Sequence, residues 1–167
     1  MTVAPQIEGS AAEGGRRGGA LSAGLLAAFG AAASIRMEAR ESEQPRMEAL
    51  GRRLLSSLAA RDRLRLNGHP ERRIQAFVNV SCAGVDGEAV VLKLARRGVA
   101  ASTGSLCAQE AGKPSAVLAA MGVPEDLSRG SVLFSLGPST TSESIDRAAA
   151  MMAESLDELR RLAPHPA

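Results

Sequence analysis

Six side chains in this sequence have the intrinsic chemistry of nucleophiles, bases or covalent anchors: Cys82, Cys107, His69, His165, Lys93 and Lys113. Cys107 stands in Ala101 to Pro114 (ASTGSLCAQEAGKP), a run of small and polar residues that reads as an irregular loop. A thiol in a polar, exposed loop can ionise and attack, whereas one in apolar surroundings stays protonated. Cys107 is therefore the reactive candidate, with an inert loop thiol as the alternative. Its nearest charges in sequence are Glu110, which raises a thiol pKa, and Lys113, which lowers it, so ordinary reactivity is expected unless the fold brings another charge close. Cys82 ends the β-branched and aromatic run Gln75 to Ser81 (QAFVNVS) and reads as a small packing hydrophobe. His69, beside Asn67-Gly68, and His165, in the terminal APHPA, read as solvated. A Schiff-base lysine is desolvated or set near another cation, and nothing around Lys93 or Lys113 in sequence argues for either. The cysteines and histidines lack CxxC or HxxxH spacing, which excludes a self-contained structural zinc site and a disulfide framework, and no metal site is expected.

Composition bounds the remaining possibilities. The 167 residues suit one domain, and 45% hydrophobic residues suffice for a core. Three Phe, no Tyr and no Trp leave bases almost nothing to stack on, and a net charge of +2 is too balanced for a phosphate-neutralising surface. No nucleic-acid partner is expected. The uncharged stretch Gly18 to Ile35 follows two arginines and resembles a signal peptide, but it is rich in Gly, Ser and Ala and too weakly apolar to span a bilayer. It is expected to be a buried helix of a cytoplasmic protein without a membrane partner.

The elements that must carry Cys107 follow from periodicity. Residues 1–13 are expected to form a frayed tail, 14–162 the folded domain, and 163–167 a second tail. Helices are expected from about Leu21 to Arg40 and from Arg46 to Ala60, separated or kinked by Pro45. In the second, Met47, Leu50, Leu54 and Leu58 form one apolar stripe. Strands are expected at Arg63 to Leu66, Gln75 to Ser81 and Ser131 to Leu136, with a short extended piece at Val99 to Ser102. Asp86 to Arg97 reads as a helix closed by Gly98, and Pro114 opens another over Ser115 to Met121. The last helix carries Ile145, Ala149, Met152, Leu156, Leu159 and Leu162 on one face, and Thr140 with Glu143 has capping-box spacing. The order predicts an α+β fold, a small, mainly antiparallel sheet covered on one face by helices.

Asn79-Val80-Ser81 followed by Val85-Asp86-Gly87-Glu88, then Ser102-Thr103-Gly104-Ser105-Leu106-Cys107, then Phe134-Ser135-Leu136-Gly137 and Thr140-Thr141, follow one another in the register of a known family. From Glu13 to about Leu162 the chain resembles the carboxy-terminal part of the cysteine desulfurases, class V aminotransferase-fold enzymes that use pyridoxal phosphate and supply sulfur for iron–sulfur clusters and thiolated tRNA. The matching segments there read NVSF, VEGE, SSGSAC and IRFSLG. The resemblance implies the small domain of fold-type I pyridoxal phosphate enzymes. It makes Cys107 the counterpart of the cysteine that takes sulfur from the substrate as a persulfide, with Ser102, Thr103, Gly104 and Ser105 as its supporting loop.

The departures from the pattern are as informative. The family's large domain, with its cofactor lysine, ring-stacking histidine and aspartate, would lie upstream of Glu13, and neither lysine here matches the family position. The RSGT segment that reaches the cofactor phosphate becomes Arg17-Gly18-Gly19-Ala20, leaving Arg17 and Gly19 as a degenerate cofactor-binding remnant without the hydroxyl. The substrate-carboxylate arginine of IRFSLG becomes Leu133, which cannot make the paired charge-assisted bonds of a guanidinium. Pyridoxal phosphate is thus implied by the family but not expected to bind this chain alone. Three functions stay open: a partner protein or sulfur carrier using Cys107, the thiol-bearing half of a split desulfurase, and a non-catalytic dimerisation module. Leu21, Leu25, Leu26 and Phe29 are expected to form an exposed apolar patch where the family's large domain would lie, which favours a homodimer, or a complex with a large domain, a full-length homologue or a sulfur acceptor.

Overall fold

The computed structural model describes residues 4–10, 12–59, 61–104 and 115–162. It divides into two compact units, Met1–Ser42 and Glu43–Ala167.

In the first unit a short 3-10 turn, Ala12–Gly15, precedes the beginning of helix α1, Ala23–Ala59. The expected buried helix over Gly18 to Ile35 is instead an exposed one. Leu25, Leu26, Phe29, Ile35 and Met37 are all solvent-facing, with Phe29 76% exposed. Ala, Gly and Ser dominate the stretch, and its few large side chains stand in solvent. The four residues expected to form an exposed patch, Leu21, Leu25, Leu26 and Phe29, are exposed.

Pro45 does not divide α1. A proline removes one N–H donor and crowds the preceding turn, yet its ring here lies in solvent. The flanking Glu, Gln, Arg, Met and Ala residues all favour helix, and they carry the helix through. In the second unit the stripe closes as expected: Leu50, Leu54 and Leu58 are buried and Met47 packs beside them. Gly51 sits on the same face for a steric reason, because a Cβ there would come 2.0 Å from the Gln75 carbonyl oxygen.

Strands β1 (Leu64–Leu66), β2 (Phe77–Cys82) and β3 (Ser131–Ser135) form an antiparallel sheet in that spatial order. Register places Val80 opposite Val132 and Leu66, and Cys82 opposite Leu64. The two-residue period of a strand then sorts the side chains. Val78, Val80, Cys82, Val132 and Phe134 are buried under the helices, while Asn79, Ser81, Ser131 and Leu133 take the other face.

Among the described residues, four helices follow β2. Helix α2 (Gly87–Arg96) starts at Asp86, whose carboxylate accepts from the backbone N–H groups of Glu88 and Ala89, and ends before Gly98 at a φ of +79°. Short helices α3 (Ala116–Ala120) and α4 (Glu125–Arg129) precede β3, the latter unforeseen from a stretch too short to show a period. Helix α5 (Ser142–Leu162) lays Ile145, Ala149, Met152 and Leu156 into the core, but Leu162 is exposed. Its cap is one residue later than the spacing suggested. Thr141 Oγ1 accepts from Ser144 N–H and Ser144 Oγ accepts from Thr141 N–H, while Thr140 Oγ1 accepts from Gly137 in the preceding turn. A bidentate pair, Arg53 to Asp146 at 2.6 Å, ties α1 to α5, and the Arg46 guanidinium donates to the carbonyls of Pro138 and Thr140. The result is the expected α+β arrangement.

Candidate functional site

Cys107 and Ser105 lie outside the described residues, as do Glu110 and Lys113. Ser102, Thr103 and Gly104, the root of that segment, are described, and the sheet holds them closely. Ser102 and Leu133 exchange both backbone hydrogen bonds, at 3.0 and 2.6 Å, so the expected extended piece docks on the outer edge of β3 as an isolated antiparallel bridge. The Ser102 hydroxyl then accepts from the Gly104 N–H at 3.2 Å. Gly104 has a φ of +84°, a conformation that costs most residues energy but glycine little. A Cβ built there would stand 3.6 Å from Asn79 Nδ2 and 3.7 Å from Leu133 Cδ2. The structure thus brings together the segment root and Leu133, the position where the resemblance expects the substrate arginine.

Behind the root runs a polar belt that sequence reasoning did not single out. Asn67 Nδ2 donates to Asn79 Oδ1 at 2.5 Å and to Ser81 Oγ at 2.8 Å, and Ser81 Oγ returns a bond to Asn67 Oδ1 at 3.2 Å. Ser131 Oγ lies 3.2 Å from Asn79 Oδ1 and 3.5 Å from the Thr103 carbonyl, and its one proton serves either. Asn67, Ser81 and Ser131 are buried. Buried polar groups of this kind contribute by being satisfied, since an unmet donor or acceptor costs about 1–3 kcal/mol. The signal was present in the alternation of QAFVNVS, whose Asn79 and Ser81 fall on one face of β2.

The other candidates separate clearly. Cys82 is fully enclosed on the helix-covered face, and burial pushes its thiol up to about 12. It is the packing residue the sequence suggested. Lys93 is engaged with Glu158 between α2 and α5, and holds that carboxyl below its usual range. The exposed His69 accepts at Nδ1 from the backbone of Glu71 and Arg72. Arg17 and Gly19 are exposed in the amino-terminal unit, with Gly19 at a φ of +86°. Among the described residues no three acidic, cysteine or histidine side chains are grouped to hold a metal, and no helix is long and apolar enough to cross a membrane.

The Aminotransferase class-V family model matches residues 9–148. The chain belongs to that family. Among its curated relatives, this class-V chain is 35% identical over 165 residues to the cysteine desulfurase IscS of Rickettsia typhi and 34% identical over 164 residues to cysteine desulfurase IscS 1 of Archaeoglobus fulgidus. Each match covers 98% of this chain but only 40% and 43% of the relative, so the chain spans about two fifths of their length. A NifS-like protein from Rickettsia africae superposes with a TM-score of 0.81 at 21% identity, over 94% of this chain and 41% of that one, which establishes the fold. DndA from Streptomyces lividans superposes at 0.60 with 29% identity, over 78% of this chain and 36% of its own.

The family depends on pyridoxal phosphate. Such chemistry requires a lysine to hold the cofactor as a Schiff base and a partner for the ring nitrogen. Lys93 is committed to Glu158 in the helix layer, Ala20 offers no hydroxyl to a phosphate, and Leu133 offers no cation to a substrate carboxylate. The described residues do not fit the cofactor.

Proposed function

We propose that these 167 residues act as the thiol-bearing portion of a cysteine-desulfurase-like system, receiving sulfur on Cys107 as a persulfide and passing it to a partner, without generating it alone. The observation that carries this reading is the placement of the STGSLC root on the outer edge of β3, with Leu133 beside it in place of the substrate arginine. The transfer itself is a thiol exchange: the Cys107 thiolate attacks the outer sulfur of a donor persulfide, a new S–S bond forms, the donor S–S bond breaks, and the donor departs as a thiolate. No oxidant is consumed.

A second reading, the thiol-bearing half of a split enzyme, is supported by the exposed apolar side chains of the first unit together with the two-fifths coverage of the relatives. In it a separate chain supplies the cofactor lysine and covers Leu25, Leu26 and Phe29. Both readings place the protein in the cytoplasm as a homodimer or complex, and iron–sulfur cluster assembly is the process that such sulfur would serve.

The test pairs two assays on purified protein. With cysteine and pyridoxal phosphate the chain alone is expected to release no alanine. With glutathione persulfide it is expected to gain the mass of one sulfur atom, and Cys107→Ser is expected to gain none. Alanine release by the chain alone contradicts the first half of the reading. Absence of sulfur uptake contradicts the second and leaves the dimerisation module.

A further inference from the structure

We propose that the groove between α1 and the β1–β2 connection binds a small carboxylate with a hydrogen-bond donor beside its carboxyl group, Arg73 taking the carboxylate and the Gln75 side-chain oxygen accepting from the donor. This site does not rest on the reading of Cys107. The connection is folded tightly enough to serve as a wall. Gly51, having no Cβ, lets α1 approach the Gln75 carbonyl. Gln75 Nε2 donates to the carbonyls of Pro70 and Glu71 at 3.4 and 3.1 Å, and the Arg73 N–H donates to the Glu71 carbonyl at 2.9 Å. Between this wall and the helix lies a groove of about 440 Å³, within the range of small-molecule sites, with Glu48 and Arg52 on the helix side and Glu71, Arg73 and Gln75 on the other.

Buried polar atoms are nearly all hydrogen-bonded in folded proteins, so the exceptions point to something that completes them. Among the described residues five buried side-chain nitrogen or oxygen atoms lack a partner, and three of them, Arg73 Nε and Nη2 and Gln75 Oε1, belong to two residues of this groove. Arg73 Nη1 is already used, donating to the Phe77 carbonyl at 2.6 Å. The unmet Nε and Nη2 form one edge of the guanidinium, on which two parallel N–H groups match the two oxygens of a carboxylate. Burial holds the Arg73 pKa below its ordinary value and no carboxylate offsets the shift, in contrast to Arg53, which Asp146 raises. Gln75 Oε1 has the opposite need, a donor. The charged side chains that line the groove, two arginines and two glutamates, balance one another, which disfavours a dianion such as phosphate. As the side chains stand, the unmet atoms are closed to solvent. A ligand therefore enters by moving a lining side chain aside, and the exposed Glu71 has room to swing.

The test titrates the intact, isotopically labelled chain at constant ionic strength with glycolate, acetate, glycolamide and inorganic phosphate. Nuclear magnetic resonance reads the Arg73 Nε–H signal and the backbone amides of residues 71–75, with the amides of α2 and α5 as reference. Glycolate, which has a carboxylate and a neighbouring hydroxyl, is expected to move the groove signals to saturation and to leave the reference signals in place. Acetate, without the donor, is expected to bind several-fold more weakly, in line with one lost hydrogen bond. Glycolamide, without the carboxylate, and phosphate are expected not to bind. Arg73→Lys keeps the charge but not the paired N–H groups, and is expected to weaken glycolate binding tenfold or more. Gln75→Met is expected to erase the advantage of glycolate over acetate. In both variants unmoved reference signals report an intact fold. Absence of a saturable shift with glycolate overturns the proposal, as does equal binding of phosphate or glycolamide, or undiminished binding by Arg73→Lys. If Glu71→Gln alone displaces the Arg73 Nε–H signal and glycolate does not, the chain's own glutamate closes the groove and the proposal fails.

Discussion

The two faces of the three-stranded sheet differ in what they bury. Under the helices lie Val78, Val80, Cys82, Val132 and Phe134, an apolar layer without a polar partner. On the other side the same strands bury Ser81, hydrogen-bonded to Asn67, and Ser131, within reach of the Asn79 oxygen that Asn67 also meets, with Leu133 at the edge. One face is held by the volume it fills and the other by the donors and acceptors it satisfies. A face of the second kind can hold a chain segment in a single register, because a slip leaves polar groups unmet.

This difference is open to test by substitution, beginning with the largest expected effect. Phe134→Ala on the covered face is expected to lower the unfolding free energy by about 3–5 kcal/mol, through lost burial and the cavity left behind. Urea denaturation measures it, and a loss under 1 kcal/mol would show that the helices do not seal that face. Ser81→Ala on the polar face removes few atoms but deprives Asn67 of a partner, so about 1–3 kcal/mol is expected. A neutral result there would show that the belt contributes nothing to folding.

Cys82 gives the comparison a pH signature. Its folded thiol titrates near 12 against an ordinary value of 9.0, because burial disfavours the thiolate. The folded state therefore holds its proton more tightly than the unfolded state does. The stability linked to Cys82 is complete below pH 9 and is lost as pH rises from there toward 12. Cys82→Ala is expected to flatten that decline in denaturation curves taken across the range, and an unchanged slope would place the thiol in a wetter setting. The smallest effect is expected at the exposed Arg53–Asp146 pair. Its Asp146 carboxyl titrates below the usual range, mainly through its hydrogen bonds with Arg53, so the linked stability is present at neutral pH and fades in acid. Asp146→Asn is expected to shift the neutral-pH melting temperature less than any other variant named here, and a shift as large as that of Ser81→Ala would make the pair a principal clamp.

Much of this was legible in the sequence where a period exists. The stripe Leu50, Leu54, Leu58, the inward face of α5 and the alternating strands are repeating patterns, and the structure follows them. Cys82 was readable as inert because its neighbours in sequence are also its neighbours in the strand. What was not readable depends on contacts distant in sequence. Ser131 meets Asn79 and Thr103 across 52 and 28 positions, and neither contact leaves a local trace. Gly51 is required by the Gln75 carbonyl, which approaches from another element. Pro45 does not separate two helices, one of the two outcomes expected of it, because the strong helix formers on both sides carry the helix through. The stretch Gly18 to Ile35 misled when read as a buried helix, since apolar residues predict burial only where something exists to cover them, whereas the exposure of Leu25 and Phe29 follows the patch that the resemblance led one to expect.

The central claim is that sulfur is received on Cys107 and not on the buried Cys82. Native protein treated with glutathione persulfide, quenched with an alkylating agent and mapped by peptide mass spectrometry decides it. The account predicts one added sulfur atom on the Cys107 peptide and none on the Cys82 peptide. Sulfur on Cys82, or on neither, would contradict it.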